Sequence, residues 1–250
     1  MRHSRRATGG QVTGASQNKG VSGRRAELSV HLVGATEGIL PDWFESEDGN
    51  SALDLLEYAG TLGLRSLLER DKDSARTRSR FIRARFASSS HVFQHVQVTF
   101  DIAGVSNSAA RSMQTHRDLV IGLLRQPGFH LPDARFVAPP GLSAEVIAIL
   151  EAAFVQQIAM VSRLVSDAYG ERLGSRERRE LYKALLPNMI ETKMVVSGGL
   201  LNWIKFIEAR DTPESDGELR ALAREILRQL AERYPPIFDA DGRALWDQLP

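Results

Sequence analysis

His95-Val-Gln-Val-Thr-Phe100-Asp-Ile-Ala-Gly104-Val-Ser106, with Thr115-His116-Arg117 downstream, is the stretch from which the fold is read. Val96, Val98 and Phe100 alternate with polar neighbours, the period of a strand that buries one face. Gly104-Val-Ser106 reads as a turn, and Asn107 to Leu124 is expected to continue as a helix. Toward the N-terminus, alternating apolar residues from Leu28 to Leu32 predict a second strand, while Pro41 and Asp48-Gly49-Asn50 mark loops. Ser51 then precedes Ala52, Leu55, Leu56 and Ala59, a helical spacing with an N-cap.

Toward the C-terminus the chain alternates in the same manner. Pro132 and Pro139-Pro140-Gly141 interrupt it before Ser143 opens a long helix with an apolar stripe through Val146, Ile149, Leu150, Ala153, Phe154, Ile158, Val161 and Val165. A helix over 175–186 stops at Pro187, and Ile190 to Val196 reads as a buried strand. Gly198-Gly199 leads into a helix from Leu200 to Ala209. A last helix, Glu218 to Arg233, shows Leu219, Leu222, Ile226 and Leu230 on one face and ends before Pro235-Pro236. Strands separated by helices of uneven length, with no Gly-rich phosphate loop, exclude a doubly wound nucleotide fold and predict an α+β domain.

Composition narrows the chemistry. The 250 residues carry 32 Lys+Arg against 31 Asp+Glu, but residues 1–25 hold six of the basic residues and no acid, leaving a body of net charge −5. That basic arm is rich in Gly, Ser, Thr and Asn, too polar to offset the entropy of ordering, and is expected to be mobile. Residues 26–250 then form a single domain with a well-buried core. No stretch reads as a secretory signal or as long and apolar enough to span a bilayer, so a cytoplasmic protein is expected. With no cysteine there is no disulfide, no thiolate metal site and no thiolate nucleophile to attack a pyrimidine ring. The six His are scattered without metal-ligand spacing, so no metal is expected. Arg76, Arg78, Arg80, Arg83 and Arg85 lack interleaved aromatic residues, and nucleic-acid binding is not favoured.

Thr115-His116-Arg117-Asp-Leu-Val120-Ile-Gly-Leu-Leu-Arg125-Gln-Pro127 resembles, in place and spacing, the Arg-His-Arg-x-x-Ser-x-x-x-x-Ser-x-Arg signature of the flavin-dependent thymidylate synthases. A second block, Leu181-Tyr-Lys183-Ala-Leu-Leu-Pro187-Asn188-Met-Ile-Glu-Thr192-Lys193, is similar to that family's Arg-x-x-Leu-Pro-Asn-x-x-x-Thr-Arg segment. It runs without a gap into Leu200 to Arg210. The resemblance spans roughly residues 26 to 240. It implies a central antiparallel sheet flanked by helices and a homotetramer with active sites shared between subunits. It also implies FAD, NADPH and methylenetetrahydrofolate as cofactors, with a uracil nucleotide, UMP or dUMP, methylated at C5.

By that resemblance His116 and Arg117, with His95 and Lys205, would hold the flavin; an Arg can fix a pyrophosphate by paired hydrogen bonds and an imidazole can bond a ring edge. His95 also reads as a hydrogen-bonded packing histidine. Ser112, Arg125, Lys183 and Arg210 would hold the nucleotide. Pro127 stands where the family's phosphate Arg lies, and Arg125 is either its displaced substitute or a surface cation before a Pro-Gly turn. Val120 and Leu123 replace polar nucleotide-contacting residues, Thr115 replaces an Arg, and Gly199-Leu200-Leu201 replaces a flavin-contacting Asn-x-Arg. No catalytic residue is assigned. Two further readings stay open: a degenerate member that binds without turnover or takes another substrate, and an RNA-binding module using the arm and the Arg run.

Overall fold

A computed structural model describes residues 24–41, 51–61, 90–124, 133–166 and 172–249. Its centre is a four-stranded, wholly antiparallel sheet. The strands are β2 (Ser29–Ala35), β3 (Gln97–Ser106), β4 (Val120–Leu124) and β6 (Glu191–Gly199), ordered β2-β3-β6-β4. Two further two-residue strands, β1 (Arg24–Arg25) and β5 (Arg135–Phe136), pair in parallel. The helices are α1 (Ser51–Thr61), α2 (Asn107–Met113), α3 (Ala144–Ser166), α4 (Ser175–Leu185), α5 (Leu200–Arg210) and α6 (Gly217–Arg233), followed by the short α7 (Pro235–Phe238) and α8 (Ala240–Arg243). This is the α+β class read from the sequence, and the last residues of the expected arm, Arg24 and Arg25, lie in a paired strand.

The alternation in β3 fixes which face of the sheet is covered. Val98, Phe100 and Ile102 are fully buried, as are Met194 and Val196 opposite them on β6. Helices α5 and α6 lie on that face. Trp203 of α5 meets Phe100 edge-on at 5.1 Å and donates its indole N–H to the Val98 carbonyl at 3.2 Å, so a large ring is buried without leaving its one polar atom unpaired. From α6, Gln229 reaches the outer edge of β2. Its amide donates to the Val30 carbonyl at 2.8 Å and accepts from the Leu32 N–H at 3.0 Å, occupying groups that a foreign strand could otherwise pair with.

A second, smaller core joins Phe136, Phe154, Ile158, Val161 and Ile190 between α3, α4 and the β5 segment. It is tied to the sheet by Arg135, whose Nε donates to Glu191 Oε2 at 2.6 Å, while Glu191 Oε1 accepts from the Gly104 N–H at 3.1 Å.

Four expectations are corrected. Gly104-Val-Ser106 is no turn: β3 runs through it with a register shift between Ile102 and Val105. Gly104 takes φ +71°, and a Cβ there would fall 1.8 Å from the Glu27 carbonyl oxygen. The expected helix from Asn107 to Leu124 ends at Met113, because Val120 to Leu124 pair along β6 as an edge strand. The apolar stripe of the long helix is not one buried face: Phe154, Ile158 and Val161 are covered, whereas Val146 and Ile149 are exposed at 40% and 63%. Finally, Ala144–Val165 has a mean hydropathy of 1.6 and does meet the length and composition needed to cross a bilayer. Its covered side packs on Phe136 and α4, with the Phe136 and Phe154 rings 5.6 Å apart.

Candidate active site

The Thr115-His116-Arg117-Asp118 loop joins α2 to β4. Ser106 caps α2 by accepting from the Ala109 N–H at 3.0 Å. The helix then unwinds through overlapping turns: the N–H groups of Gln114, Thr115 and His116 donate to the carbonyls of Ala110, Ser112 and Met113, and Leu119 N–H donates to His116 O at 3.1 Å. Thr115 spends its hydroxyl on the Ser112 carbonyl at 2.7 Å, so it does not replace the family's Arg as an outward contact.

Helix α5 clamps this loop with three residues spaced i, i+4 and i+8, which share one helical face. Asn202 donates its amide to the Asp118 carbonyl at 2.8 Å. The Phe206 ring meets the His116 ring edge-on at 5.1 Å. Arg210 donates its Nε–H to His116 Nε2 at 2.9 Å. An acceptor Nε2 means a neutral imidazole carrying its proton on Nδ1. Burial, and then the Arg210 charge, lower the pKa of His116 from its ordinary value, and Asp118 offsets this only in part. The imidazole is therefore neutral at pH 7.

Three cations of this loop and of α5 form no ion pair with a described residue. Arg117 and Lys205 are exposed and pair with no described residue, and neither do the two terminal amino groups of Arg210. Asp211, next to Arg210, is instead taken by Arg224 at 2.7 Å and Arg243 at 3.8 Å. The Arg117 and Arg210 guanidiniums, unpaired among the described residues, adjoin the neutral imidazole, one in the chain and one by its hydrogen bond, and suit a phosphate or pyrophosphate, so the donor set fits a dinucleotide flavin and a nucleotide.

The sequence-derived site residues divide as follows. His116 and Arg210 are brought into contact; Arg117 and Ser112 adjoin them in the chain, and Lys205 is on the same helix as Arg210. Ser112 is half-buried, and its hydroxyl bonds no described residue. His95 is exposed at the entrance to β3 and its ring bonds no described residue, so it is not the packing histidine that its apolar neighbours implied. Lys183 is exposed on α4, in the second packing unit, and no hydrogen bond or ion pair joins it to the His116–Arg210 pair. Arg125, Pro127 and the Arg76 to Arg85 run lie outside the described residues. Of Gly199-Leu200-Leu201, in place of the flavin-contacting Asn-x-Arg, Gly199 has no side chain to stand for the Asn and Leu201 is buried in the core where the Arg would be, so neither supplies a substitute contact. Asn202 and Phe206 were not among the residues picked out from sequence; their spacing of four from each other and from Arg210, which puts all three on one helical face, is the signal that could have found them.

A family model for thymidylate synthase complementing proteins matches residues 51–236. The chain is 30% identical over 233 residues to the flavin-dependent thymidylate synthase of Mycobacteroides abscessus, covering 88% of this chain and 92% of that one. The chain belongs to the flavin-dependent thymidylate synthase family. The enzyme of the same description from Mycobacterium marinum is 32% identical over 230 residues, with 85% and 89% coverage. Among solved structures, thymidylate synthase X from Helicobacter pylori with FAD and dUMP superposes with a TM-score of 0.61 at 16% identity, over 87% of this chain and 99% of that one. A UMP/dUMP methylase from Streptomyces cacaoi bound with 5-Br dUMP gives 0.64 at 13% identity, over 91% and 97%. These two likenesses bear on the fold, which is the one implied by the sequence. Membership of the family makes the chain a flavin-dependent nucleotide methyltransferase.

Proposed function

We propose that this flavin-dependent thymidylate synthase relative methylates C5 of a uracil nucleotide, UMP or dUMP, in the cytoplasm, with methylenetetrahydrofolate as one-carbon donor, FAD as the flavin and NADPH as electron source. The observation that carries the reading is the α5 clamp. It fixes a guanidinium whose two terminal amino groups bond no described residue, with exposed Arg117 next to His116 in the chain and exposed Lys205 on the same helix as Arg210, a donor set suited to phosphorylated ligands. When bound, reduced flavin supplies the electrons that turn the transferred carbon into a methyl group. The protein's own part is to bind and orient. Arg117, with Lys205 and His95 at the margins, holds the flavin, and the free Nδ1–H of His116 is available to it as a donor. Arg210 grips the nucleotide, helped by Ser112, by Arg125 and by Lys183 donated from a neighbouring subunit of a homotetramer. The exposed apolar flank of α3, with Ile149 63% accessible, supports such an assembly.

Charge reversal at Arg210 is the direct test. Arg210→Glu should abolish UMP and dUMP binding in calorimetry while the yellow oxidised-flavin absorption band persists. Equal affinities in variant and parent would sink the assignment. A second reading, a binding protein without turnover, is favoured by the apolar Val120 and Leu123 on β4 and the buried Leu200 and Leu201 where the family has polar contacts. Product analysis with UMP and dUMP separates the two: nucleotide binding without a methylated product selects the second.

A further inference from the structure

Resting on that reading of Arg210, we propose that His116 is a positioning residue for it: the imidazole Nε2 accepts the Arg210 Nε–H and fixes the guanidinium so that its two terminal amino groups alone are left for the nucleotide. The acceptor is immobilised before Arg210 reaches it. His116 donates its backbone N–H to Met113 at 3.0 Å, accepts from Leu119 at 3.1 Å, rests its ring against Phe206, and is followed by Asp118, whose carbonyl Asn202 holds at 2.8 Å. Arg210, by contrast, is the last residue of α5, and an unrestrained Arg there would give up about 2 kcal/mol of rotamer entropy on gripping a ligand. Contact with a fixed ring removes much of that cost in advance.

The identity of the acceptor matters as much as its position. A carboxylate in the place of His116 would hold Arg210 equally well but would neutralise it. A neutral imidazole orients the guanidinium and leaves its full charge for an anion. The nearest carboxylate in the chain, Asp211, is already committed to Arg224 and Arg243. With Nε occupied, the side-on fork of Nε and one terminal amino group is closed, and recognition must be end-on through the two terminal groups. The titratable and charged groups facing the ring are Arg210 from α5 and Asp118 from its own loop. Protonation of the ring removes the acceptor and sets two cations side by side, so the arrangement holds while the imidazole is neutral.

The test uses the full-length, flavin-loaded protein. Calorimetry with UMP and dUMP is run on the parent, His116→Ala, His116→Gln, Arg210→Ala and the double alanine variant, with flavin content read from absorbance. His116→Ala, compared with the parent at equal flavin loading, should weaken nucleotide binding about tenfold, the effect of losing one hydrogen bond to a charged group. His116→Gln should restore most of it, since Oε1 can accept from the Nε–H, and the double variant should bind no more weakly than Arg210→Ala alone. Losses that multiply in the double variant, or nucleotide affinity kept in flavin-loaded His116→Ala, overturn the proposal. Histidine-selective 15N NMR of the free protein gives a second arm: the His116 ring should be the Nδ1–H tautomer, and its titration should move to higher pH in Arg210→Gln. Identical ring titrations in the two proteins overturn the proposal. If the parent binds neither nucleotide, the uracil-nucleotide reading falls on its own, and the NMR arm still decides whether His116 holds Arg210.

Discussion

Helices α5 and α6 bury Trp203, Phe206, Ile207, Leu222 and Ile226 against the sheet, whereas α3 in the second unit covers only the flank that carries Phe154, Ile158 and Val161. The first unit is closed within one protomer, and it builds the clamp on His116 without outside help. The second half-buries Tyr182, whose desolvation pushes its phenol pKa up to about 12, yet leaves Val146, Ile149, Met160 and Leu164 in solvent, with Lys183 exposed on the adjoining helix. Two neighbouring regions of one chain therefore do different jobs. One holds the His116–Arg210 pair, and the other presents the exposed apolar flank on which the proposed homotetramer would assemble.

The comparison breaks first at Trp203. Trp203→Ala removes the largest side chain of the closed core and leaves the Val98 carbonyl without its indole donor. The expected loss is about 3–5 kcal/mol of stability, read by denaturant unfolding. A loss under about 1 kcal/mol would mean that the sheet unit is not the stabilising core of the protomer. Ile149→Asp is the contrasting change in the open unit. It lies on the exposed flank, so the protomer's own stability should stay within about 0.5 kcal/mol. Light scattering should nevertheless show the assembly falling to a smaller species, because burying one Ile at an interface contributes about 1.5–3 kcal/mol. An unchanged mass would place the interface elsewhere.

The same contrast explains what could be read from sequence. Elements whose pattern is local came through: the alternation of Val96, Val98 and Phe100, the helix that begins at Ser51, the helix before Pro187 with the strand after it, and the helix before Pro235. What failed depended on partners distant in the chain. Val120-Ile-Gly-Leu-Leu124 is an apolar run of a length that fits helix or strand alike, and pairing with Val195 and Val196 decided it. Gly104 reads as a turn residue until Glu27 and Glu191 are known to crowd and bond its backbone. The α3 stripe reads as one face because eight apolar residues spread over six turns do not announce which half meets Phe136. At the site, His116, Arg117 and Arg210 were legible from motif spacing, but the bond between His116 and Arg210, 94 residues apart, was not.

Between these extremes stands Arg117, exposed in the closed unit and paired with no described residue. Arg117→Ala removes no packing, so stability should not change measurably. Flavin retention should fall by about 1.5–3 kcal/mol in binding free energy, the loss of a charge-assisted hydrogen bond, measured by equilibrium dialysis of the flavin. Unchanged affinity would remove Arg117 from the cofactor site and leave Lys205 as the cation to test.

The smallest effect is expected at Glu218, where α6 begins. Its carboxylate accepts from the Ser106 N–H and so ties the start of α6 to the cap of α2, which leads into the His116 loop. Burial, the largest influence, raises its pKa above the ordinary value; the bonds to Ser106 lower it in part, and Asp216 raises it further. A carboxyl whose pKa is higher folded than unfolded binds its proton more tightly in the native state. Below the ordinary carboxylate range both states are protonated and the group contributes no pH dependence. As pH rises from there through the raised native value, the unfolded chain loses its proton first and the native state is progressively penalised. Glu218→Gln keeps an oxygen that can accept from Ser106 and carries no charge. The variant should therefore be the more stable protein near pH 7, and its advantage should shrink as pH is lowered toward 4. Thermal unfolding of both proteins across that range tests this. A difference in Tm that is constant with pH would show that Glu218 is not titrating with a raised pKa. An advantage that grows on acidification would reverse the sign and make the charged form the stabilising one.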